Sequence, residues 1–404
     1  MSHKNQTAPI DLSWLYVDDE NKLQRAADQL FAGHGPVGLD VERASGYTYS
    51  QRAYLIQVHR QDAGTFLFDP LALETLAPLA EAIAGEEWIL HAAHSDLDSL
   101  ADAGLVPTKL YDTELASRLL GFEKVGLGAI SDTLLATPLE KAFSRADWST
   151  RPLPDPWLKY AALDVVLLPD LREATHQLLL ESDKDRYARE EFESLLHKPP
   201  KEADLEPWRR LSGFGKLRSP KLKTIAKELW IARDSFAKSH DLAPTRVLPN
   251  SAIISAALLD PRSPQELAKH SEFTGKYSRT ELERWWRAIK RAKITAPIKE
   301  TLKLDLDINT SMVAPTNIRS WEKKNPAAYR RLMAARQLLL EASERLNIPP
   351  ENILSPSAIK SLSWNPPDEI SSFTISETLS ESGARAWQRE LTSQLIADSF
   401  VELL

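Results

Sequence analysis

The sequence predicts an α/β first part built on a mixed sheet, followed by an all-helical second part. Three observations carry this. Short alternating or continuous apolar runs recur between residues 35 and 95, interleaved with helical spacing. A proline-rich, charged stretch at 197–207, "HKPPKEADLEP", has no periodicity and reads as a linker. Everything after it shows helical spacing or loop composition.

Taken in order, "VGLDVER" and "AYLIQVHR" read as strands, and "GTFLFDP" as a third that ends in a turn. "LETLAPLAEAIAG" is helical, with Gly85 past its end. "EWILHAAH" is a short buried strand that runs into a helix beginning near Ser95. "TELASRLLGF" and "LGAISDTLLA" are helical, and "LPDPWLKYAALDVVLLPDLREATHQLLLE" reads as one long helix. The helical second part repeats itself. "LAPTRVLPNSAI" (242–253) aligns with "IPPENILSPSAI" (348–359) at an offset of about 106, each behind an amphipathic helix and ahead of a tryptophan-bearing one. A second stretch of weak pattern, about 293–317, separates the copies.

The 404 residues contain no cysteine, which excludes thiol catalysis, thiolate zinc sites and a disulfide framework. The polar opening "MSHKNQTAPIDLSW" has no signal-peptide core, and no apolar run approaches a membrane span, so the expected home is the cytoplasm. The net charge of −7 conceals a division. By count, residues 1–204 carry about 19 Lys/Arg against about 34 Asp/Glu, 205–300 about 20 against 10, and 301–404 about 11 against 13. A basic helical block behind an acidic α/β part is either a solvated surface or a place for phosphates.

In "GPVGLDVERASG", Asp40 and Glu42 are two apart on a strand and share a face. Two like charges aimed at one place call for a cation, and hard divalent ions take carboxylate oxygens. Two further acidic fragments offer partners. In "WILHAAHSDLDSL" a strand gives way to a helix, and in "YAALDVV" Tyr160 and Asp164 lie one helical turn apart. Alone, each fragment is weak: D-x-E in a strand is usually a solvated strand end, and Tyr-x-x-x-Asp on a helix is more often packing with a surface charge. The i,i+3 spacing of His91 and His94 could suit a metal, but no third nitrogen ligand is evident, which favours structural or substrate-edge roles.

Together and in order, D-x-E, H-A-x-x-x-D-L and Y-x-x-x-D resemble the three motifs of the DEDD 3′–5′ exonucleases, in the branch with tyrosine in the third. "SRADWSTRPL" (144–153) is similar to a stretch that marks ribonuclease D, and "IAKELWIARDSFAKSHDLAPTRVLPNSAI" resembles the HRDC helical domain. The resemblance implies a ribonuclease H-like 3′–5′ exonuclease domain with a mixed sheet (10–195), an all-α HRDC domain (205–292) and a second, diverged HRDC-like domain (316–404). It assigns Asp40 and Glu42 to the first motif, Asp96 to the second, and Tyr160 and Asp164 to the third. Asp98 is a rival for the second motif, though the "HAxxxDL" frame selects Asp96. Val41 stands where threonine is common in the family, but its side chain faces away from the acidic pair.

The implied activity is metal-dependent 3′–5′ exoribonuclease action on tRNA precursors and other small structured RNAs, releasing 5′-nucleoside monophosphates. The implied cofactors are two divalent ions, Mg²⁺ or Mn²⁺, about 3.5–4 Å apart. Asp40 would bridge them, Glu42 and Asp164 would complete the ion that holds the attacking water, and Asp96 would serve the second ion through water. Tyr160 would orient the water rather than take its proton, since a free phenol titrates near ~10. The implied partner is RNA with a single-stranded 3′ end, and the chain is expected to be a monomer without membrane attachment. Lys216, Arg218, Lys221 and Lys223 are candidate phosphate contacts. Trp285 and Trp286 are either base-stacking or core residues, and at least one is expected in the core. A DNA exonuclease and a non-catalytic nucleic-acid scaffold are the rival readings. No Gly-x-x-x-x-Gly-Lys-[Ser/Thr] occurs, so the chain is not a helicase.

Overall fold

The computed structural model describes residues 12–139, 142–197, 205–296, 314–315 and 317–403. The first part is built on β1 (Leu15–Val17), β2 (His34–Glu42), β3 (Leu55–Gln61), β4 (Gly64–Phe68), β5 (Glu87–Leu90) and β6 (Lys109–Asp112). Its helices are α1 (Glu20–Ala32), α2 (Ala77–Ala82), α3 (Leu97–Asp102), α4 (Thr113–Leu119), α5 (Leu127–Leu135), α6 (Asp155–Val166), α7 (Leu168–Glu181) and α8 (Asp185–Leu196). The strands form one sheet in the order β1-β4-β3-β2-β5-β6. β2 pairs antiparallel with β3 and parallel with β5, so the sheet is mixed, as the sequence predicts, and β2 lies in its interior. β1 and β6 are the edge strands. They are three and four residues long, too short to show a period in the sequence.

One expectation is corrected. The predicted long helix from "LPDPW" to "LLLE" is two helices, α6 and α7, divided at Leu167. Pro169 is responsible: it has no N–H to donate to the carbonyl of Val165, and its ring crowds that carbonyl. The break has a use. A Cβ on Gly38 of β2 would lie 3.1 Å from the Val165 carbonyl oxygen and 3.3 Å from Leu168 Cβ. A glycine two residues before Asp40 thus lets the α6–α7 junction press directly on the strand.

The helical remainder falls into two runs of the same design. Pro220–Ser239, Pro244–Val247 and Asn250–Leu259 are echoed by Pro326–Leu346, Pro350–Ile353 and Pro356–Trp364. The short middle helix recurs at the offset read from the sequence. The first run closes with Leu282–Thr295, which packs Trp285 into its core against Ile225, Leu229 and Ile253. The second closes with Ala386–Val401, which buries Trp387. The linker expected at 197–207 and the weak stretch at 293–317 fall mostly outside the described residues.

Both runs are joined to the α/β part. Asp241 Oδ1 accepts from the backbone N–H groups of Tyr49 and Ser50 at 3.1 and 2.8 Å. Arg246 stacks on the Tyr47 ring at 3.9 Å and donates to the Gly46 carbonyl at 2.6 Å. On another side, the α4, α7 and α8 residues Ala116, Leu168, Leu179 and Phe192 share one apolar core with Leu332, Ile359 and Trp387 of the last run. Trp387 Nε1 donates to Glu191 at 3.1 Å, and Arg385 pairs with the other oxygen of Glu191 at 2.7 Å.

Candidate active site

The face of β2 that carries Asp40 and Glu42 looks onto α6, which brings Tyr160 and Asp164 over it. Carboxylate oxygens of Asp40, Glu42 and Asp164 all lie within 4.8 Å of one another. Asp96 is buried, at 5% exposure, at the turn between β5 and α3. It belongs to the same charged neighbourhood but stands outside this trio, and its Oδ1 accepts from Arg43 Nη2 at 3.1 Å. Asp98, its rival from the sequence, is exposed on the first turn of α3.

The site is electrostatically frustrated without a cation. Burial, then the charges of Asp40, Asp164 and Asp96, push the Glu42 carboxyl up to about 10. Burial also raises Asp40, and burial with the Asp40 charge raises Asp164 and Asp96, against the lowering pull of Arg43 on Asp40 and Asp96. Burial and the charges of Asp164, Glu42 and Asp40 lift the Tyr160 phenol well above its ordinary range. Gln57, directly opposite Asp40 on β3, adds a fully buried amide with neither its N nor its O hydrogen-bonded within the protein. Three converging hard oxygen donors and an enclosed polar amide fit a divalent ion of the Mg²⁺ or Mn²⁺ kind.

Several residues that build this site carry no signal that motif reading detects. Asp112, fully buried at the end of β6, accepts from Ala92 N at 3.1 Å and Ala93 N at 2.9 Å, and caps α4 through Glu114 N and Leu115 N. It thereby fixes the turn that presents Asp96, in which Ala92 adopts φ 62°. Arg43 was legible only as the last letter of "DVER". In "SRADWSTRPL" the structural anchor is Arg151. It pairs with both oxygens of Asp69 at 2.7 and 2.8 Å and donates to the Tyr54 carbonyl at 2.6 Å, four residues before α6 begins. His91 accepts or donates at 2.9 Å to Thr113 Oγ1, and among the described residues neither His91 nor His94 joins a metal-type cluster.

A cleft of about 460 Å³ opens beside Tyr160 and Asp164, walled by Leu139, Phe143, Pro156, Lys159 and Leu163. A larger cavity of about 610 Å³ lies at the β6 edge and shares no residue with the acidic cluster. In the first helical run, Lys216 and Arg218 are exposed, whereas Lys221 is ion-paired with Asp260 and Lys223 is half-buried over Phe214. Trp285 is a core residue that donates to the Tyr277 carbonyl at 3.1 Å, and Trp286 is half-buried beneath Lys293.

Residues 15–179 match the family model of 3′–5′ exonucleases, and 314–400 match that of a 3′ to 5′ exonuclease C-terminal domain. Residues 223–289 match the HRDC domain. A protein named ribonuclease D from Jannaschia sp. is 32% identical over 256 residues, 61% of this chain. The chain thus carries a 3′–5′ exonuclease domain and an HRDC domain, and is similar to proteins named ribonuclease D. Its match spans 64% of the Jannaschia relative's length. A crystal structure of a protein from Bifidobacterium adolescentis is 29% identical with a TM-score of 0.83, over 96% of this chain and 97% of that one. The crystal structure of Escherichia coli RNase D, described as an exoribonuclease involved in structured RNA processing, shares the fold at 22% identity. Its TM-score is 0.67, over 94% of this chain and 98% of that one. The ribonuclease D architecture of a mixed-sheet exonuclease domain, an HRDC domain and a helical C-terminal part is the one described above.

Proposed function

We propose that the chain is a metal-dependent 3′–5′ exoribonuclease that trims tRNA precursors and other small structured RNAs to release 5′-nucleoside monophosphates. The observation that supports this best is the gathering of Asp40, Glu42 and Asp164 oxygens within 4.8 Å, under a tyrosine of the same helix as Asp164. Asp40, Glu42 and Asp164 would hold one divalent ion and Asp40 with Asp96 a second. When bound, two such ions supply a nucleophilic water at neutral pH and stabilise the departing oxygen.

The protein's own groups do the rest. Tyr160, kept protonated by burial and by its acidic surroundings, orients the attacking water by hydrogen bonding and does not remove its proton. The cleft beside Tyr160, with Phe143 on one wall and Lys159 on another, suits a terminal nucleotide with its base against apolar surface and its phosphate near a cation. Lys216 and Arg218 give the HRDC domain a sequence-blind hold on the RNA backbone. Among the described residues no helix is long and apolar enough to cross a membrane. We take the chain to act as a cytoplasmic monomer and residues 316–404 to be a diverged second HRDC-like domain.

The deciding experiment is a time course on a 3′-extended tRNA and a matched single-stranded DNA with Mg²⁺, with Mn²⁺ and with EDTA. Stepwise shortening of the RNA from its 3′ end, abolished by EDTA and by Asp40→Asn, is expected. Preferential loss of the DNA would make the chain a DNA exonuclease. Binding without hydrolysis in either metal would make it a scaffold.

A further inference from the structure

Arg43 follows the last residue of β2, and none of the roles above uses it. Its guanidinium bridges to the second acidic fragment: Nη1 donates to the Ser95 carbonyl at 2.5 Å and Nη2 to Asp96 Oδ1 at 3.1 Å. The Asp96 side chain is almost enclosed, at 7% exposure, while that of Arg43 keeps 26%. The charge of Arg43 also reaches Asp40 and Glu42. The protein therefore carries its own cation at the rim of the acidic cluster, and that cation holds the one motif carboxylate that stands apart from the trio.

An arginine suits such a post. Its charge is permanent, and its planar fork of N–H donors matches a carboxylate and a phosphate equally well. It can leave one for the other without changing the kind of hydrogen bond it makes. While it grips Asp96, one carboxylate oxygen is engaged and the charge is neutralised, so Asp96 is a poor ligand for a divalent ion.

We propose that Arg43 is a positioning residue that withholds Asp96 from metal coordination until a phosphodiester enters and takes over the guanidinium. This rests on the two-ion reading above. Asp40, Glu42 and Asp164 take up one ion without nucleic acid. Asp96 becomes available for a second only when there is a phosphate beside it, which ties completion of the site to the presence of a bond to cut.

The test is Mn²⁺ binding to the full chain without nucleic acid, by calorimetry and by electron paramagnetic resonance, for the wild type, Arg43→Met and Arg43→Lys. The wild type is expected to show one tight site and a second at least about tenfold weaker, and Arg43→Met to tighten the second by roughly tenfold, the equivalent of about 1.4 kcal/mol. Arg43→Lys keeps the charge without the fork and should fall between them. With 5′-AMP as the phosphate probe, the second site should tighten in the wild type and stay unchanged in Arg43→Met. In RNA hydrolysis, Arg43→Met should raise KM more than it lowers kcat. A second-site affinity in Arg43→Met within twofold of the wild type would overturn the proposal, as would two equally tight sites in the wild type. If Arg43→Met does not fold, the same comparison is read from Arg43→Lys. A wild type that neither binds Mn²⁺ nor hydrolyses RNA overturns the exonuclease reading, and this proposal with it. A wild type that hydrolyses RNA with unaltered metal binding in the variants overturns this proposal alone.

Discussion

Arg151 grips Asp69 with two parallel hydrogen bonds, Nε to Oδ2 at 2.7 Å and Nη2 to Oδ1 at 2.8 Å. The pair ties the segment leading into α6 to the end of β4, and so fixes how Tyr160 and Asp164 descend onto the sheet. Asp69 is almost enclosed, at 5% side-chain exposure, and Tyr16 donates to it as well at 2.7 Å. Arg151→Met is expected to cost roughly 3 kcal/mol in denaturant unfolding, since it strands a buried carboxylate. Asp69→Asn with Arg151→Met should recover part of that loss. Additive losses in the double variant would count against the pair as the anchor.

The metal-free protein should lose stability as pH rises. Glu42 titrates near 4.3 in an unfolded chain, by its ordinary value, and burial with its acidic neighbours raises it to about 10 when folded. The unfolded state therefore gives up its proton first. The stability that depends on a protonated Glu42 is complete below about pH 4 and drains away as the pH approaches 10. Glu42→Gln should raise the melting temperature in EDTA at pH 8 while abolishing hydrolysis. Calorimetry in EDTA and in Mn²⁺ checks both halves, because the ion should stabilise the wild type and not the variant.

Tyr160→Phe removes the phenol hydroxyl and leaves every carboxylate. Activity is expected to fall by about 10²-fold, the low end of what a positioned proton-transfer group supplies. Mn²⁺ affinity should stay within a few-fold of the wild type. The wild-type rate should show no alkaline limb from the phenol below about pH 10, since its surroundings keep it protonated. A loss of metal affinity equal to the loss of rate would remove Tyr160 from water orientation.

Asp96 and Asp98 separate cleanly. Asp96→Asn should inactivate the protein, and Asp98→Asn, on the exposed side of α3, should leave turnover within about twofold and stability within about 0.5 kcal/mol. Parallel turnover assays decide between them.

The C-terminal run is load-sharing with the exonuclease domain. Trp387→Ala empties a fully buried site and takes the indole donor from one oxygen of Glu191, and about 3–5 kcal/mol of destabilisation is expected. Circular dichroism melting checks it.

The acidic motifs and the central strand could be read from residue order, because a side-chain period of two and a helical turn of four leave fixed signatures. Asp40 with Glu42, and Tyr160 with Asp164, were legible for that reason. The division between α6 and α7 was obscured by apolar spacing that runs through Pro169. β1 and β6 were too brief to show a period. Arg43, Asp112 and Arg151 act through partners 53, 20 and 82 positions away, and such distances leave no trace in local pattern.

The loop that follows β2 begins one residue after Glu42 and is held both from its own domain and from outside it. Asp241 and Arg246 fasten it at Ser50 and Gly46, while Ser99 of α3 fastens it at the Gln51 carbonyl at 2.7 Å. Surface loops ordinarily absorb insertions and deletions freely. This one is measured out between three fixed posts, so its length is under tighter constraint than its composition. A one-residue insertion between Gly46 and Ser50 should disturb the protein more than most substitutions there, and drift at these positions in descendants of this chain should change residues and keep the count.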